Sequence, residues 1–294
     1  MANPKAKYLF ILPLFLLYIS LTIYPFLSMI YISFFNYNLA TGAQQQFVGL
    51  LNYQNMATDY LVRDSVQFSV FIIIAGVITE ILLGLGLALL ILGTKGERVF
   101  RSISIIPMTI PMVVSGMVWK MLFNTVYGPL NYFLSFFGVG KISWLGDPFF
   151  ARFTILIVDI WQWTPFIFLI LYAGLKNVPE DLIEAAVVDG ARGWQVTRYV
   201  RIPFIRPLIT IAVMLRLLEL LKLFDIVFMI TGGGPGTITY SYSYLIYVVG
   251  FLTGINLGYA SALSVVLLIC AMILTALLIK ILNVKRLLGL EVKP

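Results

Sequence analysis

The sequence predicts an all-α integral membrane protein with six transmembrane helices, and three observations carry that prediction. Hydrophobic residues make up 61% of the chain and charged residues only 11%. That balance leaves too little polar surface for a water-soluble domain of 294 residues. Apolar runs long enough to cross a bilayer recur along the chain, and the mean hydropathy is +0.98. Basic residues collect in alternate loops, the asymmetry that sets membrane orientation.

Taken in order, the spans are expected at 8–35, 66–93, 102–123, 151–175, 207–230 and 258–283. Lys5 and Lys7 give the first span the start of a signal peptide. Its apolar run is too long for one and lacks a small-residue cleavage site, so it reads as a retained helix. A seventh run, 238–253, lies between the glycine-rich stretch Thr231–Gly236 and the glycines Gly254 and Gly258. Charge decides against it as a span. With six spans, 14 of the 20 basic residues fall on one side, including Lys95, Arg98, Arg101, Arg192, Arg198, Arg201, Lys285 and Arg286. Both termini are therefore expected in the cytoplasm, with the chain in contact with membrane lipid. The run 238–253 is expected as a short outward-facing or re-entrant helix. Three regions follow: 1–65 as a first helix and outer loop, 66–283 as the main transmembrane domain, and 284–294 as a cytoplasmic tail. Pro13, Pro25, Pro107, Pro111 and Pro165 fall in or beside spans and favour kinks.

Composition also removes function classes. The chain has no histidine and one cysteine, Cys270. That excludes an intrachain disulfide framework, His-containing metal sites and Ser–His hydrolysis. No metal site and no catalytic residue are expected. The net charge of +7 has a topological explanation and does not call for nucleic acid.

The longest cytoplasmic loop, 176–206, has internal structure. Pro179 followed by Glu180 and Asp181 is a good helix start. Leu182, Ile183, Ala185, Ala186, Val187 and Val188 fit a short helix, ended by Asp189, with Gly190 and Gly193 permitting a turn. A second short helix is expected from Trp194 to about Val200, with Ile202-Pro203 redirecting the chain into the fifth span. By itself such a segment also fits an amphipathic linker on the membrane surface, aided by Arg192, Arg198 and Arg201.

The spacing Glu184-Ala185-Ala186, three residues, Gly190, nine residues, Val200-x-Ile202-Pro203 resembles the EAA loop of binding-protein-dependent ABC importer permeases. The likeness extends to Gly49-Leu50-x-Asn52-Tyr53, to Trp119, Phe123, Tyr127-Gly128 and Asn131, to Phe224-Asp225-Ile226 and the glycine-rich run, and to Gly258 through Ala262. These resemble the carbohydrate branch, of the maltose and glycerol-3-phosphate permease type. The resemblance implies an ABC permease core with a cytoplasmic coupling helix that docks on a separate ATPase. It implies the inner membrane of a prokaryotic cell, a contact of Glu184 with a basic group of the ATPase, close packing at Ala185 and Ala186, an acidic residue at Asp189 and a bend at Gly190. It also implies a second homologous permease subunit in a heterodimer, two ATPase subunits that hold the ATP and magnesium, and an extracytoplasmic substrate-binding protein. No cofactor is implied on this chain. The glycine-rich run lacks the Lys-Ser/Thr ending of a phosphate loop.

Charged residues inside spans cost about 2.5–3.5 kcal/mol each at a helix centre, and here they are Glu80, Asp159, Arg216, Glu219, Lys222 and Asp225. The last four recur at i, i+3 with alternating sign, so they either pair along one helix or line a polar cavity. In the family the resemblance indicates, cargo contacts come from the spans flanking the EAA loop. Those positions correspond here to Gln162, Trp163 and Phe166, then Arg216, Glu219, Leu220 and Leu223. Aromatic stacking with polar hydrogen bonding suits a sugar, oligosaccharide, glycoside or phosphorylated polyol. Trp161 and Trp163 equally fit packing or interfacial anchoring. An ion-coupled secondary carrier is the alternative, but it calls for a repeated half, which the sequence does not display.

Overall fold

The computed structural model describes residues 4–42 and 44–281. The expected tail 284–294 and its basic residues lie outside the described residues. Two compact units emerge, Met1–Val62 with Leu245–Cys270, and Arg63–Tyr244 with Ala271–Pro294.

Among the described residues, four helices are long and apolar enough to cross a membrane: Ile11–Ile32, Tyr60–Ile91, Pro148–Lys176 and Leu257–Lys280. The third expected span is not one straight helix. It breaks into Glu97–Thr109 and Met112–Leu122, bent by 93°. Pro111 is the cause: a proline pushes the preceding residue out of the helical region, and Ile110 stands at ψ 128°. Counted as one, this bent pair makes a fifth span.

The expected fifth span, 207–230, also departs from a single helix. It begins earlier, at Ile202, ends at Leu221, and resumes as Asp225–Ile230. Such a break leaves backbone carbonyls without helical partners, which inside a membrane must be satisfied by protein. Ser243 Oγ donates to the Leu221 carbonyl at 3.0 Å, and the Ser241 hydroxyl donates to that of Leu223. Ile202–Leu221 also carries Arg206, Arg216 and Glu219, too many charges for a lipid-facing span. Pro203 does not redirect the chain as expected. A wider π turn, Thr197–Arg201, feeds directly into Ile202–Leu221, and another, Ile19–Ile23, precedes Pro25. One extra residue per turn makes room for the proline ring. The run 238–253 forms a helix, Tyr242–Leu252, too short to span.

In the first unit, Phe35–Asn36 pairs antiparallel with Gln46–Phe47. Asn52 donates to the carbonyls of Ser33 at 2.8 Å and Phe35 at 2.9 Å, which explains an asparagine in the Gly-Leu-x-Asn-Tyr stretch as a clasp. Tyr259 Oη donates to Asp59 Oδ2 at 2.8 Å.

In the second unit the Pro148–Lys176 helix is the buried axis. Asp147 caps its start by accepting from the backbone of Phe149 and Phe150. Ile167, Phe168, Leu171, Tyr172 and Leu175 pack with Ala88, Val178, Ile205 and Ala212 as one apolar core. Gly84 is where Tyr60–Ile91 crosses this axis: a Cβ there would lie 2.7 Å from Ile167 Cγ2. Asn131, from the Tyr-Gly-x-x-Asn stretch, organises the loop after Met112–Leu122. It donates to the carbonyls of Thr125 and Ile142 and accepts from Ile142 N–H and Trp144 Nε1.

Candidate functional site

The loop helix runs Glu180–Val188, started by Pro179 and closed at Asp189. Its exit is a Schellman turn: Ala191 N–H donates to the Ala186 carbonyl and Gly190 N–H to that of Val187, each at 2.9 Å. Gly190 sits at φ +84°, the left-handed conformation this turn requires and which only glycine adopts without strain. Ile183 and Ala186 are half-buried on the inner face, and Ile183 packs against the core around Leu175 and Val178. Glu184, Ala185, Asp189 and Gly190 are exposed. So are Leu182, Val187 and Val188, the last 86% exposed. The residues singled out from the sequence therefore form one accessible acidic and apolar ridge, apart from Ala186, which faces partly inward.

The second group lies within the helices. Arg216 Nε donates to Glu80 Oε2 at 2.6 Å, and Nη2 donates to Glu80 Oε1 and Asp159 Oδ2, both at 2.7 Å. All three side chains are 0–1% exposed. Pairing along the fifth span holds for Glu219 with Lys222 but not for Arg216. Arg216 pairs across three helices, Lys222 pairs with Glu219 at 2.9 Å near the helix end, and Asp225 starts the next helix. Bidentate geometry holds the guanidinium as a fork between two carboxylates. Its remaining face lies over the Trp163 ring, 4.9 Å from the centroid, a cation–π contact. Glu80 and Asp159 stood out in the sequence as intramembrane carboxylates, but nothing there named Arg216 as their shared partner.

Trp163 meets Phe166 edge-on at 6.0 Å. Gln162 Nε2 donates to the Ile110 carbonyl at 2.7 Å, the group freed by the break before Pro111. Ser115 Oγ, Gln162 Oε1, Trp163 Nε1 and Thr164 Oγ1 are buried without a hydrogen-bond partner among the described residues. Such groups are costly unless something completes them. Leu220 and Leu223 are buried, whereas Glu219 is exposed. The structure thus brings Trp163, Phe166 and Arg216 together, sets Gln162 against the Ile110 carbonyl and leaves Glu219 at the periphery.

A third cluster was not read from the sequence. Glu97, in the basic loop before the third span, accepts from Lys176 Nζ at 2.8 Å, from Gly93 N–H at 3.1 Å and from the Tyr172 hydroxyl. The Lys176 ammonium beside Glu97 holds its carboxyl below the ordinary 4.5. A lowered value means that the pairing is complete above 4.5 and is lost only as pH falls through the lowered pKa. Its signal in the sequence was an acid set among Lys95, Arg98 and Arg101.

Comparison with known proteins fits this arrangement. Residues 80–286 match the family model described as binding-protein-dependent transport system inner membrane component. The chain is 34% identical over 278 residues to the trehalose/maltose transport system permease protein MalF of Thermococcus litoralis, covering 94% of this chain and 93% of that protein. It is 35% identical over 266 residues to the sulfoquinovosyl glycerol transport system permease protein SmoG of Agrobacterium fabrum, covering 90% and 85%. The fold is like that in a crystal structure of a bacterial ABC transporter that imports the acidic polysaccharide alginate, with a TM-score of 0.83, 20% identity and 95% of each chain covered. The chain belongs to the family of binding-protein-dependent transport system inner membrane components: it is the multi-pass permease subunit of an ABC importer and not itself an ATPase.

Proposed function

We propose that this permease moves a sugar, oligosaccharide or glycoside inward by alternating access, with Glu180–Val188 as its coupling helix. Six spans are counted by taking the bent pair as the third and Ile202–Leu221 with Asp225–Ile230 as the fifth, inside a permease domain of about 66–283. Both termini are then cytoplasmic. The observation that carries the reading is the exposed ridge of Glu184, Ala185 and Asp189 on a helix whose inner face is anchored in the core and whose end is fixed at Gly190. A surface held that firmly and left open suits docking on a second subunit. Two ATPase subunits would bind ATP and magnesium, a second permease would complete the pathway, and an extracytoplasmic binding protein would deliver cargo. ATP-driven closure then moves the coupling helices and reorients the spans.

The cargo reading is supported by two relatives, named for trehalose/maltose and sulfoquinovosyl glycerol transport. It is supported independently by the buried, unpartnered polar atoms of Gln162, Trp163, Ser115 and Thr164 and by the Trp163–Phe166 ring pair. Polyhydroxylated cargo supplies hydrogen bonds to the former and apolar ring faces to the latter. Leu220, Leu223 and Glu219, at and just past the end of Ile202–Leu221, complete the candidate path.

The test is uptake of labelled di- and trisaccharides and glycosides by proteoliposomes holding the whole complex and the binding protein. Gln162→Leu is expected to lower uptake about tenfold, one lost polar contact in a dry site, with ATPase assembly intact. Uptake that persists when the partner ATPase is catalytically dead overturns the reading in favour of an ion-coupled carrier.

A further inference from the structure

The Glu97 cluster joins the start of the broken third span to the helix end that leads into the coupling ridge. Lys176 is the last residue of the Pro148–Lys176 helix, and the coupling helix starts at Glu180. The link between them has no slack. Asn177 N–H bonds to the Gly174 carbonyl at 3.1 Å, Val178 N–H bonds to that of Leu175 at 3.4 Å, and Val178 is buried in the core. A push on Glu180–Val188 is therefore delivered to the Tyr172–Lys176 turn instead of being absorbed in a loop.

That turn is fastened to the other half of the cytoplasmic surface. Glu97 opens the helix Glu97–Ser104 and takes three donors: the Lys176 ammonium, the Tyr172 hydroxyl and the Gly93 amide. One turn on, Arg101 lies 5.6 Å from the Tyr172 ring centroid, and Phe100 meets Phe168 edge-on at 5.6 Å. The far end of the same half-span, Ile110, is held by Gln162. Glu97–Thr109 is thus bracketed at both ends by one helix, whose C-terminus carries the coupling helix.

The placement of this ion pair separates a mechanical role from a folding role. Lys176 is 58% exposed and Glu97 18% exposed, and ion pairs in such water-accessible positions contribute little to stability. The apolar contacts beneath it, Phe100 with Phe168 and Tyr172, survive its removal. What the polar joint adds is a fixed angle between two elements that would otherwise slide on an apolar seam.

We infer that Glu97, Tyr172 and Lys176 are positioning residues that transmit movement of the coupling helix to the broken third span. This rests on the coupling-helix reading above. The test uses the full complex with its ATPases and binding protein in proteoliposomes. Glu97→Gln and Tyr172→Phe are expected to assemble normally, with unchanged melting and basal ATP hydrolysis within twofold. Stimulation of hydrolysis by loaded binding protein is expected to disappear, and cargo moved per ATP to fall about tenfold. Glu97→Lys and Lys176→Glu are each expected to uncouple, and the two together to recover at least half of the coupling, a rescue that loss of folding would not produce. Stimulated hydrolysis and transport at parental levels in Glu97→Gln, or failure of the double swap to rescue, overturns the inference. Glu184→Lys, run in parallel, separates the two readings. Normal coupling in that variant removes the coupling-helix reading itself, whereas loss there with normal Glu97→Gln removes only the joint.

Discussion

Arg216→Met is expected to give the largest loss of folded protein of any single substitution within the spans. It removes the shared counter-charge of Glu80 and Asp159, which both bond to Arg216 at 2.6–2.7 Å and are shut off from water. Breaking a buried ion pair by deleting one partner costs about 3–5 kcal/mol, because the remaining charge stays buried and unpaired. Two carboxylates left facing each other put this case at the upper end. The measurement is thermal unfolding of the detergent-solubilised chain followed by size-exclusion chromatography, with transport measured in parallel. A triple variant, Glu80→Leu, Asp159→Leu and Arg216→Met, is expected to recover most of the lost stability, since apolar replacements of whole buried ionic clusters are often neutral or better. A single Arg216→Met variant as stable as the parent would mean that the carboxylates reach water, contrary to the buried triad.

The second large effect is expected from Glu184→Lys, and here stability is not the target. Glu184 is exposed, one turn from Asp181 and Val188 on the open face of Glu180–Val188, the proposed coupling helix, so folding and insertion are expected to be unchanged. Placing a like charge opposite a basic group in an interface costs several kcal/mol, and about 1.4 kcal/mol already weakens binding tenfold. Co-purification of the ATPases is therefore expected to fall by more than about tenfold, with uptake lost in proportion. Retained co-purification with normal uptake would remove Glu184 from the interface.

How far the sequence revealed this molecule depends on the range of the signal. Hydropathy runs and loop charges are local, and they located the helices Tyr60–Ile91, Pro148–Lys176 and Leu257–Ile281 with errors mainly at their ends. Helix-end chemistry is also local, so Pro179, Glu180, Asp181 and Gly190 marked the loop helix Glu180–Val188 and its turn. The break at Pro111 was legible as a proline in a span. Its 93° angle was not, because a kink becomes a fold-back only when another helix supplies a partner such as Gln162 for the freed carbonyl. The triad was half legible. Intramembrane charges announce themselves by cost, but their partners lie 57 and 136 positions apart, and no helical spacing encodes that. The i, i+3 pattern on the fifth span suggested nearer partners, and for Arg216 the cross-helix carboxylates won because they could be buried with it. Glu97 escaped for the same reason, since its meaning depends on a tyrosine and a lysine on another helix.

The fold-back at Ile110 also bears on the thickness of the surrounding bilayer. At about 1.5 Å per residue its two legs measure about 20 and about 16 Å. Joined at 93°, their ends stand at best about 25 Å apart, short of a hydrocarbon core of about 30 Å. A straight crossing is thus out of reach for the two helical legs alone, and the chain or solvent that flanks them has to cover the remainder. Gln162 is bonded to the corner of this element and Ser115 lies buried on its second leg. The bend therefore presents polar groups where an unbroken span would show a continuous apolar cylinder.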